Sequence, residues 1–161
     1  MNYWLTWTKG IRGHSSINDP YALTGQVGVS GFRASNSMLI QRYLGINDIS
    51  FSPDSLYLAT ASDDTTCLIH ALHPLPSPSS SSSRPAPLRI LSAHTAPVLA
   101  VAFSPKSNLL VTGSFDESAI IWDVKNGTAL RVLPAHADAV WTVGWDGEGG
   151  MVLTGSADGL V

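Results

Sequence analysis

The sequence predicts an all-β fold built from repeated units of four short antiparallel strands, and three observations support this prediction. Blocks of the 161-residue sequence recur at fixed spacings, short apolar segments alternate with turn signals, and the same polar residues return at the same turn of each repeat. With 44% apolar and 13% charged residues, the composition is typical of a globular domain that can bury a core.

The repetition is visible by direct self-comparison. Residues 94–103 align with 136–145, and residues 109–118 align with 151–160, both at a shift of 42 positions. Residues 42–51 and 57–66 align with the same two blocks, but at a shift of 52 positions. Two different blocks therefore share each spacing, and the first repeat contains an insertion.

The insertion is the Pro- and Ser-rich segment 73–87. Proline removes backbone donors and a serine-rich chain has no apolar face to bury, so we expect a disordered loop here. The repeats then extend over 42–161, as 42–93, 94–135 and a shortened third copy, 136–161. Residues 1–41 form an N-terminal segment outside the repeats, which we expect to be poorly ordered.

Within one complete repeat, turn signals separate four strands in order. The apolar run 98–103 ends at the Ser-Pro cluster 104–108, and 109–114 ends at the tight turn 115–117. The third strand ends at Lys125-Asn126-Gly127, and a fourth follows in 128–134. Because the strands are apolar on successive positions, both faces of each sheet should be covered, as in sheets that stack face to face.

The recurring polar residues predict a hydrogen-bond network that fixes each turn. A turn aspartate can accept hydrogen bonds from a histidine upstream, while a strand hydroxyl and a tryptophan indole complete the set. The residues assigned to this network are His94, Thr112, Ser114, Asp116, Trp122, His136, Asp158 and Asp64. The first repeat departs from the pattern, because the histidine column holds Arg42 and the tryptophan column holds His70.

Catalysis, metal binding and cofactor binding are not expected. Ser114 lies near His94 and Asp116 in sequence, as a hydrolase triad would require, but the same residue types recur in every repeat whereas a nucleophile occurs once per active site. There is no Gly-x-Ser-x-Gly pattern in the sequence. His70 and His73 are isolated candidates for metal ligands, since paired cysteines are absent.

Charge and hydropathy exclude two further classes of function. A net charge of −3 and an isoelectric point near 5.9 provide no basic surface for direct nucleic-acid binding. The longest apolar run, 97–103, is far shorter than the roughly 18 residues that a membrane helix needs. The single cysteine, Cys67, and the absence of a signal-peptide pattern predict a protein that is not secreted.

Four strands, a period near 42 and the Trp122-Asp123 pair are typical of a WD-repeat β-propeller, here with about three blades of four-stranded antiparallel sheet and therefore incomplete. Residues 107–136, with their Phe-Asp-Glu-Ser turn and Leu-Pro-Ala-His exit, resemble one blade of the WD-repeat scaffold subunit of COMPASS-type histone methyltransferase complexes. Residues 44–64 resemble the preceding blade.

This resemblance implies a non-catalytic, nuclear scaffold that joins a methyltransferase to its partner subunits and receives an arginine-containing peptide in its central opening. The matching peptide-binding positions are Asn47, Asp63, Leu99, Phe115, Trp141 and Ala157. Three of them depart from the family pattern: Leu99 and Ala157 stand where the family has aromatic rings, and Trp141 stands where it has a serine.

Two alternatives remain open at the level of sequence. The chain could be a WD-repeat adaptor of another complex, such as one that presents substrates to a ubiquitin ligase, with a cytoplasmic location, or a non-functional truncated fragment. Propellers close with 4 to 8 blades, so about three blades cannot close a ring. We therefore expect the isolated chain to associate with itself or to aggregate.

Overall fold

A computed structural model describes residues 44–72, 86–134 and 136–161. These residues form ten strands and no helix, which confirms the predicted all-β class. The strands are β1 (Ile46–Phe51), β2 (Tyr57–Ser62), β3 (Cys67–Ala71), β4 (Arg89–Leu91), β5 (Val98–Phe103), β6 (Leu109–Ser114), β7 (Ala119–Asp123), β8 (Thr128–Leu133), β9 (Val140–Trp145) and β10 (Val152–Ser156).

The strands form three antiparallel sheets in the order of the repeats. The first sheet has the order β1-β2-β3-β4, the second β5-β6-β7-β8, and the third, as described, consists of β9 and β10. Within each sheet, every strand pairs antiparallel with its neighbour in sequence, whereas the β4–β5 and β8–β9 connections lead from one sheet to the next. This is the incomplete propeller of about three blades that the repeats predict.

Corresponding turns share a left-handed residue in all three repeats. The turn after the first strand places Ser55, Ser107 and Gly149 at φ values of 62°, 60° and 72°. The turn after the second strand places Thr65, Glu117 and Gly159 at 70°, 69° and 84°. Left-handed backbone costs a non-glycine residue about 1–2 kcal/mol, so the hydrogen bonds around each turn must hold it in place.

The sheets stack through their first strands, with β1 next to β5 and β5 next to β9. Gly113 allows the close approach of the second and third sheets, because a Cβ there would lie 2.8 Å from Val140 and 2.9 Å from Val143. The face of the second sheet that carries Gly113 therefore points toward the third sheet.

The continuous core lies between the first and second sheets. It combines side chains from both of them, with Tyr57 packed at its edge: Ala59, Ala61, Cys67, Ile69, Leu91, Val98, Val101, Phe103, Leu110, Ile120, Trp122 and Val124. Both sheets bury the second strand almost completely, as expected for apolar runs covered on two faces.

Several expectations from the sequence fall outside the described residues. They concern the predicted poor order of residues 1–41, most of the predicted loop 73–87, and the two residues Arg42 and His73. Residues 86 and 87 are described and lead directly into β4. The structure, where it is described, contains no helix long and apolar enough to cross a membrane.

Candidate functional site

The complete polar network lies in the second repeat, on the loop before β5, strand β6 and the turn after it. His94 Nδ1 lies 2.9 Å from Asp116 Oδ2, and His94 Nε2 lies 2.8 Å from Thr112 Oγ1. The Trp122 indole N–H donates to the same hydroxyl over 2.9 Å. Four side chains that are distant in sequence thus form one continuous chain of hydrogen bonds.

The protonation of this network follows from its burial. Burial lowers the pKa of His94, against the opposing effect of Asp116, so the imidazole is neutral at pH 7. Partial burial would raise the pKa of the Asp116 carboxyl, but hydrogen bonds from Ser118, the Thr95 N–H and His94 lower it to about 2. A neutral His94 then donates from Nδ1 to Asp116 and accepts at Nε2 from the Thr112 hydroxyl.

Ser114 does not take the position that a nucleophile would require. It is fully buried, and its hydroxyl lies 2.9 Å from the Pro97 carbonyl oxygen and 3.1 Å from that of Ala96. Ser114 Oγ also accepts a hydrogen bond from the Asp116 N–H over 3.1 Å. The hydroxyl that contacts His94 is that of Thr112, so Ser114 instead links the turn to the loop before β5.

The third repeat contains most of the same network. His136 Nδ1 lies 3.0 Å from Asp158 Oδ2, and His136 Nε2 lies 2.9 Å from Thr154 Oγ1. The hydrogen bond from the Ala137 N–H, followed by weaker contributions, lowers the pKa of Asp158 to about 2. The His-Thr-Asp contacts of the second repeat therefore recur in the third.

In the first repeat the aspartate holds the turn locally. Asp64 Oδ1 accepts hydrogen bonds from the Thr66 N–H over 3.0 Å and from the Thr66 hydroxyl over 2.7 Å, and the Asp64 N–H donates to Ser62 Oγ. His70, in the column of Trp122, is buried within β3. Arg42, which stands in the histidine column in this repeat, lies outside the described residues.

The six peptide-binding candidates lie at equivalent positions of the three repeats, and we call them the rim residues. One member of each pair is the extra residue of a β-bulge in the first strand, and the other follows the second strand. In each repeat the backbone N–H of the residue after the second strand donates to the backbone carbonyl oxygen two residues before the bulge. The distances are 3.0, 2.9 and 3.1 Å in the first, second and third repeats. The pairs are Asn47 with Asp63, Leu99 with Phe115, and Trp141 with Ala157.

The bulge leaves one residue in the first strand of each sheet outside the strand pairing. A β-bulge leaves one residue unpaired and re-aims it, and the register shifts between Ile46 and Asp48, and between Val98 and Ala100, leave out the candidate residue. These bulges are not visible in the sequence, because the apolar pattern alone gives no sign of an extra residue.

The polar and apolar rim residues lie at different repeats. Asn47 Nδ2 donates to Asp63 Oδ1 over 2.8 Å and to the Val98 carbonyl over 2.9 Å, so the polar pair also joins the first sheet to the second. Phe115 is 55% exposed and Trp141 is 58% exposed. The rim therefore offers a carboxylate at the first repeat and two accessible aromatic rings at the second and third.

Two contacts between sheets were missed by sequence reasoning. Asp48 Oδ2 accepts the Val101 N–H over 2.9 Å; burial raises the pKa of Asp48, and the Val101 and Ile49 N–H groups partly offset this. The Trp145 indole donates to the Ala102 carbonyl over 3.1 Å. Neither residue type recurs in the other repeats, so self-comparison could not reveal them.

The described part of the chain holds no group of three or more His, Cys, Asp or Glu side chains placed to bind a metal ion. His70 is buried in β3, and the other isolated candidate, His73, is not among the described residues.

Comparison with known proteins gives one family and several partial relatives. The family described as "WD domain, G-beta repeat" matches residues 39–70, 85–123 and 127–161. The COMPASS component SWD3 of Saccharomyces cerevisiae is 39% identical over 85 residues, which is 52% of this chain and 23% of that protein.

Other WD proteins match at similar identity. A Protein LST8 homolog of Drosophila pseudoobscura pseudoobscura is 40% identical over 77 residues, covering 48% of this chain and 24% of that protein. Protein HIRA of Dictyostelium discoideum is 33% identical over 79 residues, covering 48% of this chain and 7% of that protein. The matched region thus spans about a quarter or less of the length of these relatives.

Proposed function

This chain belongs to the family of WD domain, G-beta repeat proteins, and on that premise we propose that it acts as a non-catalytic scaffold for other protein subunits or peptides. The assembly we propose is a histone methyltransferase complex of the COMPASS type, in the nucleus, without direct binding to nucleic acid or to membranes. The partial likeness to COMPASS component SWD3 supports this assignment, as does the close match of residues 107–136 to a blade of that family.

The observation that carries the proposal is the rim. Phe115 and Trp141 are large aromatic side chains that remain more than half exposed although the backbone beneath them is fixed by the repeated turn hydrogen bonds. Rigid, accessible aromatic residues are enriched at protein–protein contacts because they bury a large area at little cost in side-chain entropy. The rim therefore suits recognition of a protein segment.

The chemistry of the rim favours a peptide that carries both a cation and an apolar side chain. Asp63 offers a carboxylate, and Phe115 and Trp141 offer ring faces on which an arginine can stack. Each cation–π contact is worth about 0.5–2 kcal/mol. Because Leu99 and Ala157 replace rings of the family pattern, we expect weaker arginine binding than a full aromatic clamp would give.

The buried networks support a structural rather than a catalytic role. Thr112 is fully buried, and its hydroxyl is shared between His94 and the Trp122 indole. Ser114 is also fully buried, with its hydroxyl on backbone carbonyls. We expect a serine-reactive fluorophosphonate probe to leave Ser114 unlabelled in the folded chain; stoichiometric labelling would contradict the non-catalytic proposal.

A second candidate is an adaptor role in a different complex, outside the nucleus. It is favoured by the LST8 homologs, which match nearly the same share of this chain at 40% identity. A ubiquitin-ligase adaptor belongs to the same class.

We also propose that the isolated chain associates with itself. The third repeat carries several large apolar side chains that are more than half exposed: Trp141 (58%) and Leu153 (57%) in its strands, and Met151 (64%) and Leu160 (63%) beside them. Apolar patches of this kind mark contact surfaces. Sedimentation at micromolar concentration should show association that Leu153→Lys weakens, whereas a stable monomer would contradict it.

The test of the scaffold proposal is affinity capture with identification of the captured proteins. The tagged chain should capture methyltransferase-complex subunits from nuclear extract, and Phe115→Ala combined with Trp141→Ala should abolish the capture. Val132→Ala is the matched control, since Val132 is 54% exposed on β8, away from the rim. Capture of cytoplasmic partners alone would favour the second candidate. Capture unaffected by the rim variants would exclude the rim as the contact surface.

A further inference from the structure

The first strand of each sheet has one edge that does not pair within the sheet. β1, β5 and β9 each lie at the end of a sheet, so alternate backbone N–H groups of these strands point away from the paired strand. Val101 of β5 is such a residue, since its N–H donates to Asp48 of the first sheet. A buried N–H group of this kind needs an acceptor from outside its own sheet.

Asp48 supplies acceptors to two of these edges at once. Its Oδ1 accepts the Ile49 N–H of β1 over 2.8 Å, and its Oδ2 accepts the Val101 N–H of β5 over 2.9 Å. The side chain is half-buried at the interface between the two sheets. Hydrogen bonds to an ionised carboxylate are roughly twice as strong as neutral ones, so Asp48 links the first sheet firmly to the second.

Asn47 makes a second link, on the other side of the same bulge. Its Nδ2 donates to the Val98 carbonyl oxygen over 2.9 Å. The register shift lies between Val98 and Ala100, so the bulge residue Leu99 has one held residue just before it and another, Val101, two positions after it. Two neighbouring side chains of the first sheet therefore hold the backbone on both sides of this bulge.

At the equivalent positions, the second sheet offers the third sheet two apolar side chains. They are those of Leu99 and Ala100, which contain neither a donor nor an acceptor. The N–H group equivalent to that of Val101 belongs to Val143 of β9, and Ala100 has no side-chain oxygen to accept it. The bulge of the third repeat is therefore not held in this way from the second repeat.

We propose that Asn47 and Asp48 are positioning residues for the rim, because they hold the Leu99 bulge of the neighbouring sheet on both sides and so make the rim residues of the first two repeats one preformed surface. We call this pair the Asn47–Asp48 clamp. The inference rests on the proposed function of the rim as a binding surface. A preformed surface loses less conformational entropy on binding, so Asp48 should affect affinity through Leu99.

Hydrogen exchange of single backbone N–H groups tests the clamp directly. In the unchanged chain, the Val101 N–H should exchange with solvent about tenfold more slowly than the Val143 N–H. Asp48→Ala places in the first repeat the residue type that Ala100 provides in the second, and it should remove most of this difference. The exchange rate of the Val111 N–H, in fully buried surroundings in β6, corrects for any general loss of stability.

Ser50→Ala is the matched control, because it removes a longer contact across the same interface. Ser50 Oγ accepts the Phe103 N–H over 3.4 Å, farther from the bulge. This variant should leave the exchange of Val101 unchanged. If Asp48→Ala does not fold, Asp48→Asn should still speed Val101 exchange about threefold, because one amide oxygen replaces the two oxygens that serve separate N–H groups.

The capped peptide acetyl-Leu-Arg-Leu-amide tests the effect of the clamp on binding, since it carries a cation and apolar side chains. In an NMR titration followed at the Trp141 indole, Asp48→Ala should weaken binding about threefold or more, and Ser50→Ala should not.

The clamp is overturned if Val101 exchanges as fast as Val143 in the unchanged chain, or if neither Asp48 variant speeds Val101 exchange. Faster exchange without any loss of affinity would overturn the positioning role. If the unchanged chain does not bind the peptide but Val101 exchanges as expected, the result would contradict the proposed function of the rim and support the clamp.

Discussion

The second and third sheets use equivalent residues but reach different degrees of burial. Thr112-Gly113-Ser114 and Thr154-Gly155-Ser156 have identical sequences, yet β6 is almost completely buried and β10 is mostly half-buried or exposed. Val111 is fully buried, whereas its equivalent Leu153 is 57% exposed.

The comparison shows that local sequence specifies the hairpin and its polar contacts, while burial depends on the neighbouring strands. The His-Asp distance is 2.9 Å in the second repeat and 3.0 Å in the third, although the two repeats differ in how far they are covered. The same hydrogen bonds should still contribute different amounts of stability, because Thr112 is fully buried whereas its equivalent Thr154 is half-buried, and a buried polar group that loses its partner costs more than one that water can reach.

The largest difference is expected for apolar truncation. Ile69→Ala removes a fully buried side chain from the core between the first two sheets, and it should lower the free energy of unfolding by about 2–5 kcal/mol. Leu153→Ala, on the exposed face of the third sheet, should change it by less than about 0.5 kcal/mol. Urea unfolding of both variants at low protein concentration would measure this, and equal costs would show that the third sheet is covered as well as the first.

The next largest effect concerns the turn aspartates. Asp116→Ala leaves His94 and the Thr95 N–H without their acceptor in a buried site, and it should cost about 1–3 kcal/mol. Asp158→Ala removes the same contacts from a network whose threonine, Thr154, is half-buried where Thr112 is fully buried, and it should cost less. Ser114→Ala should also cost less than Asp116→Ala. Chemical unfolding curves would rank the three variants by their loss of stability. A greater loss for Asp158→Ala than for Asp116→Ala would contradict the comparison.

Acid should reduce stability in two steps, and the second repeat contributes one group to each of them. Burial lowers the pKa of His94 below its ordinary value of 6.5, so its contribution is present above pH 6.5 and is lost as the pH falls through the lowered pKa. The pKa of Asp116 is lowered from 3.8 to about 2, so its contribution is present above pH 3.8 and is lost as the pH falls toward 2.

Urea midpoints measured from pH 7 to pH 2 would test this order. Asp116→Asn should flatten the loss between pH 4 and pH 2, since the amide does not titrate. A rise in stability on acidification below pH 6 would contradict the direction expected for both His94 and Asp116.

The smallest effect is expected at the left-handed turn residues. Glu117 has a φ of 69°, and its equivalent in the third repeat is Gly159, with a φ of 84°. Glu117→Gly relieves the left-handed strain but adds freedom to the unfolded chain, so the change should lie within about 1 kcal/mol. Gly159→Ala introduces strain and should be destabilising. Thermal unfolding of both variants would check the signs.

Much of the fold could be predicted from the sequence because the repeats multiply a weak local signal. One strand-turn pattern is ambiguous, but the same pattern at two shifts identified the strands, their hairpins and the family. The contact between His94 and Asp116 was predictable for the same reason, since a histidine and an aspartate recur at the same spacing as His136 and Asp158.

Parts of the candidate site were not predictable, for a physical reason in each case. Sequence left Thr112 and Ser114 as alternatives for the hydroxyl, and only the strand direction shows that Thr112 faces His94 while Ser114 faces the loop carbonyls. The bulges at Asn47, Leu99 and Trp141 depend on backbone pairing, which side-chain polarity does not encode.

By itself, the sequence determined that this chain is an all-β array of WD repeats with a polar network at each turn, because turn chemistry and apolar periodicity act over a few residues. Only the tertiary structure decided which equivalent residues are buried. Ile69 and Ile121 have the same local surroundings, yet one is sealed by a complete neighbouring sheet and the other is half-buried. Burial is set by what packs against a residue from outside its own repeat, and that information is not contained in the repeat itself.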